Sequence, residues 1–260
     1  MEHSPRHTIV FTVVLCVVFS VIVSSVAVGL KDRQDENVRL DRIKNVLGVA
    51  GLKEPDEKLD KEEMIARFES GLEPRVVDLA TGEYVDDIDP LEYDQQKAKK
   101  DPELSRAVSP NPSKVRRVPN DVVVYLIHEE GKVTGVVLPI EGYGLWSTLY
   151  GYLALAADGN TVRGITYYSH GETPGLGGEV DNPRWKAKWA GRKVYDAAGN
   201  PQLHVKKGQA GPPSEDPFEV DGLSGASLTS KGVSNMLAFW MGRNGFAPYL
   251  AKFKQQGEQG

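Results

Sequence analysis

The chain has 260 residues, enough for one large domain with additions. With 31 Lys+Arg against 36 Asp+Glu, a net charge of −5 and a pI near 5.6, it lacks the basic balance of a nucleic-acid binder. One cysteine, Cys16, and five histidines without ligand spacing exclude an internal disulfide framework and a thiolate-built metal centre from this chain alone, so redox chemistry here calls for an organic cofactor.

Residues 1–7 read as a short tail, and 8–30 carry no charge and are rich in Val, Ile, Leu and Phe. Roughly 20 such residues cross the hydrocarbon core as a helix, so 8–30 is a predicted transmembrane span. A cleavable signal peptide, with Ser25-Val26-Ala27 as its small-residue site, is the alternative. The run exceeds the usual apolar region of about 7–15 residues and only Arg6 supplies a firm positive charge before it, which favours an uncleaved anchor. Lys31, Arg33, Arg39, Arg42 and Lys44 follow the span, and taken literally this charge bias leaves the large domain in the cytoplasm.

The next region, 31–120, is mixed and partly irregular. A juxtamembrane helix is predicted over 35–52, ending near Gly48 or Gly51. A second helix over 60–70 opens with Asp60 and Glu63 as a capping box and shows Met64, Ile65 and Phe68 on one face. Residues 75–85 read as two short strands around Thr81-Gly82, and 93–120, broken by Pro102, Pro110, Pro112 and Pro119, as a surface connection. The main domain is placed at 121–250. It opens with a hairpin of 122–128 and 133–139, followed by a second of 152–156 and 161–169 around Asp158-Gly159-Asn160. Asn182-Pro183 starts a short helix carrying Trp185 and Trp189 as core residues. A third strand pair, 192–196 with 202–206, precedes a final helix over 227–242 with Val233, Met236, Leu237, Trp240 and Met241 on one stripe. Residues 251–260 are read as a tail. Hairpins with few interposed helices give an α+β fold, a mainly antiparallel sheet flanked by helices.

Chemistry concentrates in Asp221-Gly222-Leu223-Ser224-Gly225-Ala226-Ser227-Leu228-Thr229-Ser230, four hydroxyls and two glycines where a loop enters a helix. Free N–H groups and the partial positive charge of a helix start suit a phosphate. Ordinary Ser/Thr capping explains the same residues. His170-Gly171-Glu172-Thr173-Pro174-Gly175-Leu176-Gly177 is a turn after a strand without dinucleotide glycine spacing. Gly142-Tyr143-Gly144-Leu145-Trp146 reads as an aromatic core segment or as a cofactor wall. No nucleophile–base pair and no glycine-rich nucleotide loop is present, so no catalytic residue is assigned and NADH is not expected to bind this chain.

Asp-x-x-Ser-Gly-Ala-(Thr/Ser) resembles the acceptor pattern of the FMN-binding domain family, in which a dedicated flavin transferase esterifies FMN to the hydroxyl of the final residue. That residue is Ser227 here, where the family usually has threonine; both carry an alcohol on the β carbon. The Glu-Thr-Pro-Gly-Leu-Gly loop and the aromatic stretch resemble family segments beside the isoalloxazine. Over most of its length the chain is similar to the C subunits of the sodium-translocating NADH:quinone reductase family. The G subunits of Rnf-type complexes are the neighbouring alternative, and the long segment between the span and the first hairpin favours the former. The resemblance implies one covalent FMN on Ser227, with Ser224, Gly225 and Ala226 completing the acceptor pattern. It further implies Glu172, Thr173, Gly175, Leu176, Leu145 and Trp146 beside the ring, and Thr229 and Lys207 at the phosphate or ribityl chain. It implies an electron relay inside a complex whose other subunits oxidise NADH, reduce ubiquinone and move sodium outward. It also implies an inner-membrane protein with one span and a periplasmic domain, against the charge bias. A membrane-tethered sensor or assembly module holding FMN without turnover is the reading from another class.

Overall fold

The apolar run and the polar stretch behind it form one helix, α1 (Pro5–Ala50), in the computed structural model, which describes residues 4–54 and 56–257. The first and last three residues of the two expected tails lie outside the described residues. The helix expected separately over 35–52 is thus the continuation of the span, as no proline interrupts 6–54. Gly51 stops it at φ +78°, with its N–H donating to Gly48 O and the Leu52 N–H to Leu47 O, the paired bonds of a Schellman end.

The chain divides into two units, Met1–Arg42 and Ile43–Gly260. In the first, Pro5–Lys31 has a mean hydropathy of 2.9 over its most apolar window, none of it buried by protein. Its 27 residues reach about 40 Å as a helix, more than the ~30 Å hydrocarbon core requires.

In the second unit the elements run α2 (Lys61–Gly71), β1 (Leu72–Asp78), α3 (Gln95–Ala98), β2 (Ser105–Arg106), β3 (Val118–Pro119), β4 (Asp121–Glu129), β5 (Lys132–Tyr143), β6 (Thr148–Ala156) and β7 (Val162–Ser169), then α4 (Pro183–Lys186), β8 (His204–Val205), β9 (Glu219–Val220), α5 (Ser227–Trp240) and α6 (Ala247–Gly257). The two predicted hairpins are β4–β5 and β6–β7. With β1 at one edge they make a five-stranded antiparallel sheet in the order β1-β4-β5-β6-β7.

Both faces of the sheet are covered, which explains why β4 is apolar at successive positions rather than alternating. Val122, Val124 and Leu126 point to the larger core, shared with Met236, Leu237 and Trp240 of α5 and Tyr249 and Phe253 of α6. Val123, Tyr125 and Ile127 point to a second core closed by Val46 and Leu47 of α1 and Phe68 of α2. The Asp60–Glu63 capping box forms as expected, and Asn182 caps α4 by accepting the Arg184 N–H with Pro183 at the first helical position.

Four further segments differ from expectation. Residues 93–120, read as a surface connection, hold α3, β2 and β3 and send Val115 and Val118 into the larger core. Residues 75–85 give β1 and, on its edge away from β4, a single bridge of Val77 with Tyr84, held by the Asp78 N–H donating to Glu83 O and the Val85 N–H to Val76 O; the turn at Asp86-Asp87 ends the pairing there. The third strand pair reduces to a bridge between Tyr195 and Pro201; β8 instead pairs in parallel with β9. The segment read as a tail from 251 is the second half of α6 as far as Gly257, held because Tyr249, Leu250 and Phe253 recur on one buried face.

Candidate functional site

The sequence places three small-residue segments at one place in the fold: 142–147 between β5 and β6, 172–177 after β7, and 221–230 at the start of α5. Helix α5 starts inside the third segment, packs across β5 and meets the other two segments through Thr229 and Gly232.

Capping by the hydroxyl cluster does not occur. The N-cap is Ala226, with φ −128° and ψ 47° and no side-chain hydrogen bond. Ser227 is the first helical residue; it is exposed, and its hydroxyl has no partner among the described residues. The N–H groups of Ser227, Leu228 and Thr229 also lack an acceptor among the described residues. The helix start is an open donor set of the kind that receives an anion. Ser224 is likewise exposed, and Ala226 is buried. Gly225 sits at φ +70°, a conformation that favours glycine, and packs beside the end of the Leu176 side chain, whose Cδ2 would lie 2.8 Å from a Cβ there.

Asp221 is buried and anchors the loop. Its carboxylate accepts from the Lys188 ammonium and the Ala210 N–H, and its backbone oxygen accepts the Trp185 indole N–H. Burial pushes its pKa up, but the bonds to Lys188 and Ala210 outweigh this and hold it below the usual carboxylate range.

The face of α5 bearing Ser227, Ser230, Lys231 and Ser234, at helical spacing, lines a cleft of about 570 Å³ with Lys207 and Ser224. Lys207 and Lys231 are exposed and have no carboxylate partner among the described residues. Lys207 is the cation that the family resemblance assigns to the phosphate or ribityl chain. Lys231 escapes that assignment, although its position four residues after Ser227 is a readable signal.

On the opposite face, Thr229 is fully buried and its hydroxyl donates to Glu172 Oε2 at 2.6 Å. Glu172 Oε1 accepts the N–H groups of Leu145, Trp146 and Ser147 at 3.0, 2.9 and 3.3 Å. Burial raises the Glu172 pKa, and the hydroxyl and three amides more than compensate, leaving it lowered. Glu172 and Thr229, expected to touch cofactor, therefore have their side chains committed to each other. The groups that do face outward are apolar: Trp146 is 66% exposed, Leu228 59% and Leu176 44%. Thr173 and Gly175 are exposed beside them, and Leu145 is half-buried. Exposed apolar side chains beside an open helix start are an unusual solvent face and a natural cover for a planar ring.

Comparison with known proteins gives the same region a name. Residues 144–242 match the FMN-binding domain model, an interval that includes every residue assigned above to cofactor contact. The chain is 47% identical over 257 residues to the C subunit of the Na(+)-translocating NADH-quinone reductase of Pseudomonas aeruginosa, covering 98% of each chain. It is 46% identical to the C subunit of the same reductase from Yersinia pestis, over 95% of this chain and 92% of that one. Among solved structures it resembles the NqrC of Shewanella oneidensis, with a TM-score of 0.76 and 32% identity over 83% of this chain and 97% of the other. It also resembles the corresponding reductase subunit of Parabacteroides distasonis, with a TM-score of 0.66 and 26% identity, over 85% and 96% of the two chains. Matches of this length favour the NADH-quinone reductase reading over the Rnf-type alternative.

Proposed function

Because the chain belongs to the family of C subunits of the Na(+)-translocating NADH-quinone reductase, and is thus an FMN-binding electron-transfer component of an assembly of several subunits, we propose that it carries one FMN esterified through its phosphate to Ser227. The observation that carries this reading is the exposed, hydrogen-bond-free hydroxyl of Ser227 at the first position of an uncapped helix.

The residues present fit the group. Open amides at 227–229 and the unpaired ammonium groups of Lys207 and Lys231 balance a phosphodiester charge. Leu176, Trp146 and Leu228 offer apolar surface to a ring, with Thr173, Gly175 and Leu145 at its edge. When bound, FMN supplies one- and two-electron redox chemistry, and the protein supplies placement and electrostatics. Esterification would form the bond from Ser227 Oγ to the FMN phosphorus and break the P–O bond to the leaving group of an activated flavin phosphate anhydride, with the leaving group released and the hydroxyl proton taken by a base of the flavin transferase. Serine meets the chemical requirement that threonine meets in the family pattern, an alcohol on the β carbon.

In this reading NADH is oxidised elsewhere in the assembly, ubiquinone is the final acceptor and sodium leaves the cell. The protein resides in the bacterial inner membrane through α1, with its folded domain in the periplasm. The basic residues after the span oppose that orientation, but long domains translocate largely regardless of flanking charge.

On a denaturing gel, protein made with its transferase shows a fluorescent flavin band, Ser227→Thr keeps it and Ser227→Ala abolishes it, with intact mass reporting one FMN increment. A band that survives in Ser227→Ala overturns the assignment.

A further inference from the structure

Glu172 joins the three segments of the site through one buried carboxylate. Oε1 gathers the consecutive amides of Leu145, Trp146 and Ser147 at 2.9 to 3.3 Å, and Oε2 takes the Thr229 hydroxyl at 2.6 Å. The residue itself belongs to the 172–177 loop and is 5% exposed. Three amides converging on one oxygen is the arrangement that stabilises an ionised carboxylate, and it leaves no room for a donor in its place. The packing is close on the other side as well. A Cβ on Gly177 would stand 2.5 Å from Thr229 Oγ1 and 2.6 Å from Glu172 Oε2, too close to both oxygens of the hydrogen bond. Thr229 is two residues beyond the acceptor on the same helical turn, so the bond fixes the turn that presents Ser227 to the two loops that present Trp146 and Leu176.

We propose that the Glu172–Thr229 bond is a positioning device for the cofactor: Glu172 does not touch FMN but locks the 145–147 and 172–177 loops to the first turn of α5. This rests on the FMN reading above. Without the bond each loop keeps its own turn, but the three segments lose their common register. A site held by such supporting bonds is ordered to a fraction of an ångström, and its order is lost when they are removed.

The test uses the full chain made with its transferase, in three variants that break the same bond differently. Glu172→Met removes the carboxylate, Thr229→Val removes the hydroxyl, and Gly177→Ala presses a methyl against both oxygens of the bond. Thr229→Ser keeps the hydroxyl. The readouts are visible circular dichroism and fluorescence anisotropy of the flavin, each per covalently bound flavin, with far-ultraviolet circular dichroism as the check on fold. The expected result is roughly a twofold or greater loss of the flavin signals in all three breaking variants, with Thr229→Ser close to the parent. Folded breaking variants that fail to acquire flavin, beside a Thr229→Ser that acquires it normally, support the same positioning role. Parent-like flavin signals in folded Glu172→Met and Thr229→Val overturn the proposal, as does a Thr229→Ser variant that behaves like Thr229→Val. Absence of covalent flavin from the parent would instead overturn the FMN reading, so the two failures are distinct.

Discussion

Asp158 closes the turn between β6 and β7, accepting from the Asn160 and Thr161 N–H groups at 2.9 and 2.7 Å and from the Lys193 ammonium at 3.3 Å. Burial raises its pKa, but these donors and the Thr161 hydroxyl lower it from 3.8 to about 2. A carboxyl with a folded pKa below its unfolded value stabilises the fold above the unfolded pKa, and that contribution fades as pH falls from about 4 towards 2. Asp158→Asn is therefore expected to lower the urea midpoint at pH 6, with the gap to the parent narrowing at pH 2.5. The side chain is 46% exposed, so solvent screening keeps the effect modest. An equal gap at both pH values would refute the linkage. Single residues differ in how far sequence exposes their role, for a physical reason. The place of Ser227 at a helix start is legible because its motif is contiguous. The commitment of Glu172 to Thr229 is not, because it joins residues 57 apart and depends on which way a helix face turns.

Helix α5 shows how an element is constrained from two sides. Its 229, 232 and 236 positions lie against β5 and the loops, while 227, 230, 231 and 234 face the cleft. Gly232 sets how close the helix approaches: a Cβ there would stand 2.5 Å from Tyr143 O and 2.9 Å from Gly144 Cα. Helix propensity alone predicts that alanine gains about 1 kcal/mol over glycine. Contact with backbone, which cannot swing aside, predicts a loss of about 1–3 kcal/mol and should win. Gly232→Ala should thus lower the unfolding midpoint in urea, and an unchanged or raised midpoint would show that the helix can shift at little cost. The stripe of α5 and the hairpins β4–β5 and β6–β7 are readable because periodicity and turn residues coincide. Strands β8 and β9 have two residues each, too few for any period to show. The helical end of α6 is hidden in the sequence because polar residues at 252 and 254–256 mask the spacing of Leu250 and Phe253.

For the whole molecule, the question is whether residues 5–31 remain in the mature protein. A helical stretch of 27 residues whose most apolar window has a mean hydropathy of 2.9 and no protein cover is long enough to span and costly to leave in water. The full chain is expected in the membrane fraction after alkaline carbonate washing and in solution only with detergent, with a mass that retains its N-terminal segment. Protease added outside spheroplasts should digest the folded domain. Release by carbonate, with a mass short of the first ~27 residues, would make the segment a leader; protection from outside protease would place the domain in the cytoplasm. The span is legible from hydropathy alone, whereas its fusion with the helix behind it depends on there being no stop between Lys31 and Gly51.

In the proposed acceptor role, the exposure of Ser227 bears on when the protein matures. A hydroxyl that takes part in no internal bond is not needed to build the fold, so the chain can reach its final shape before any flavin arrives. Loading then becomes a separate event acting on a finished surface. The proportion of charged and uncharged copies would reflect supply of the flavin donor and transferase rather than success in folding.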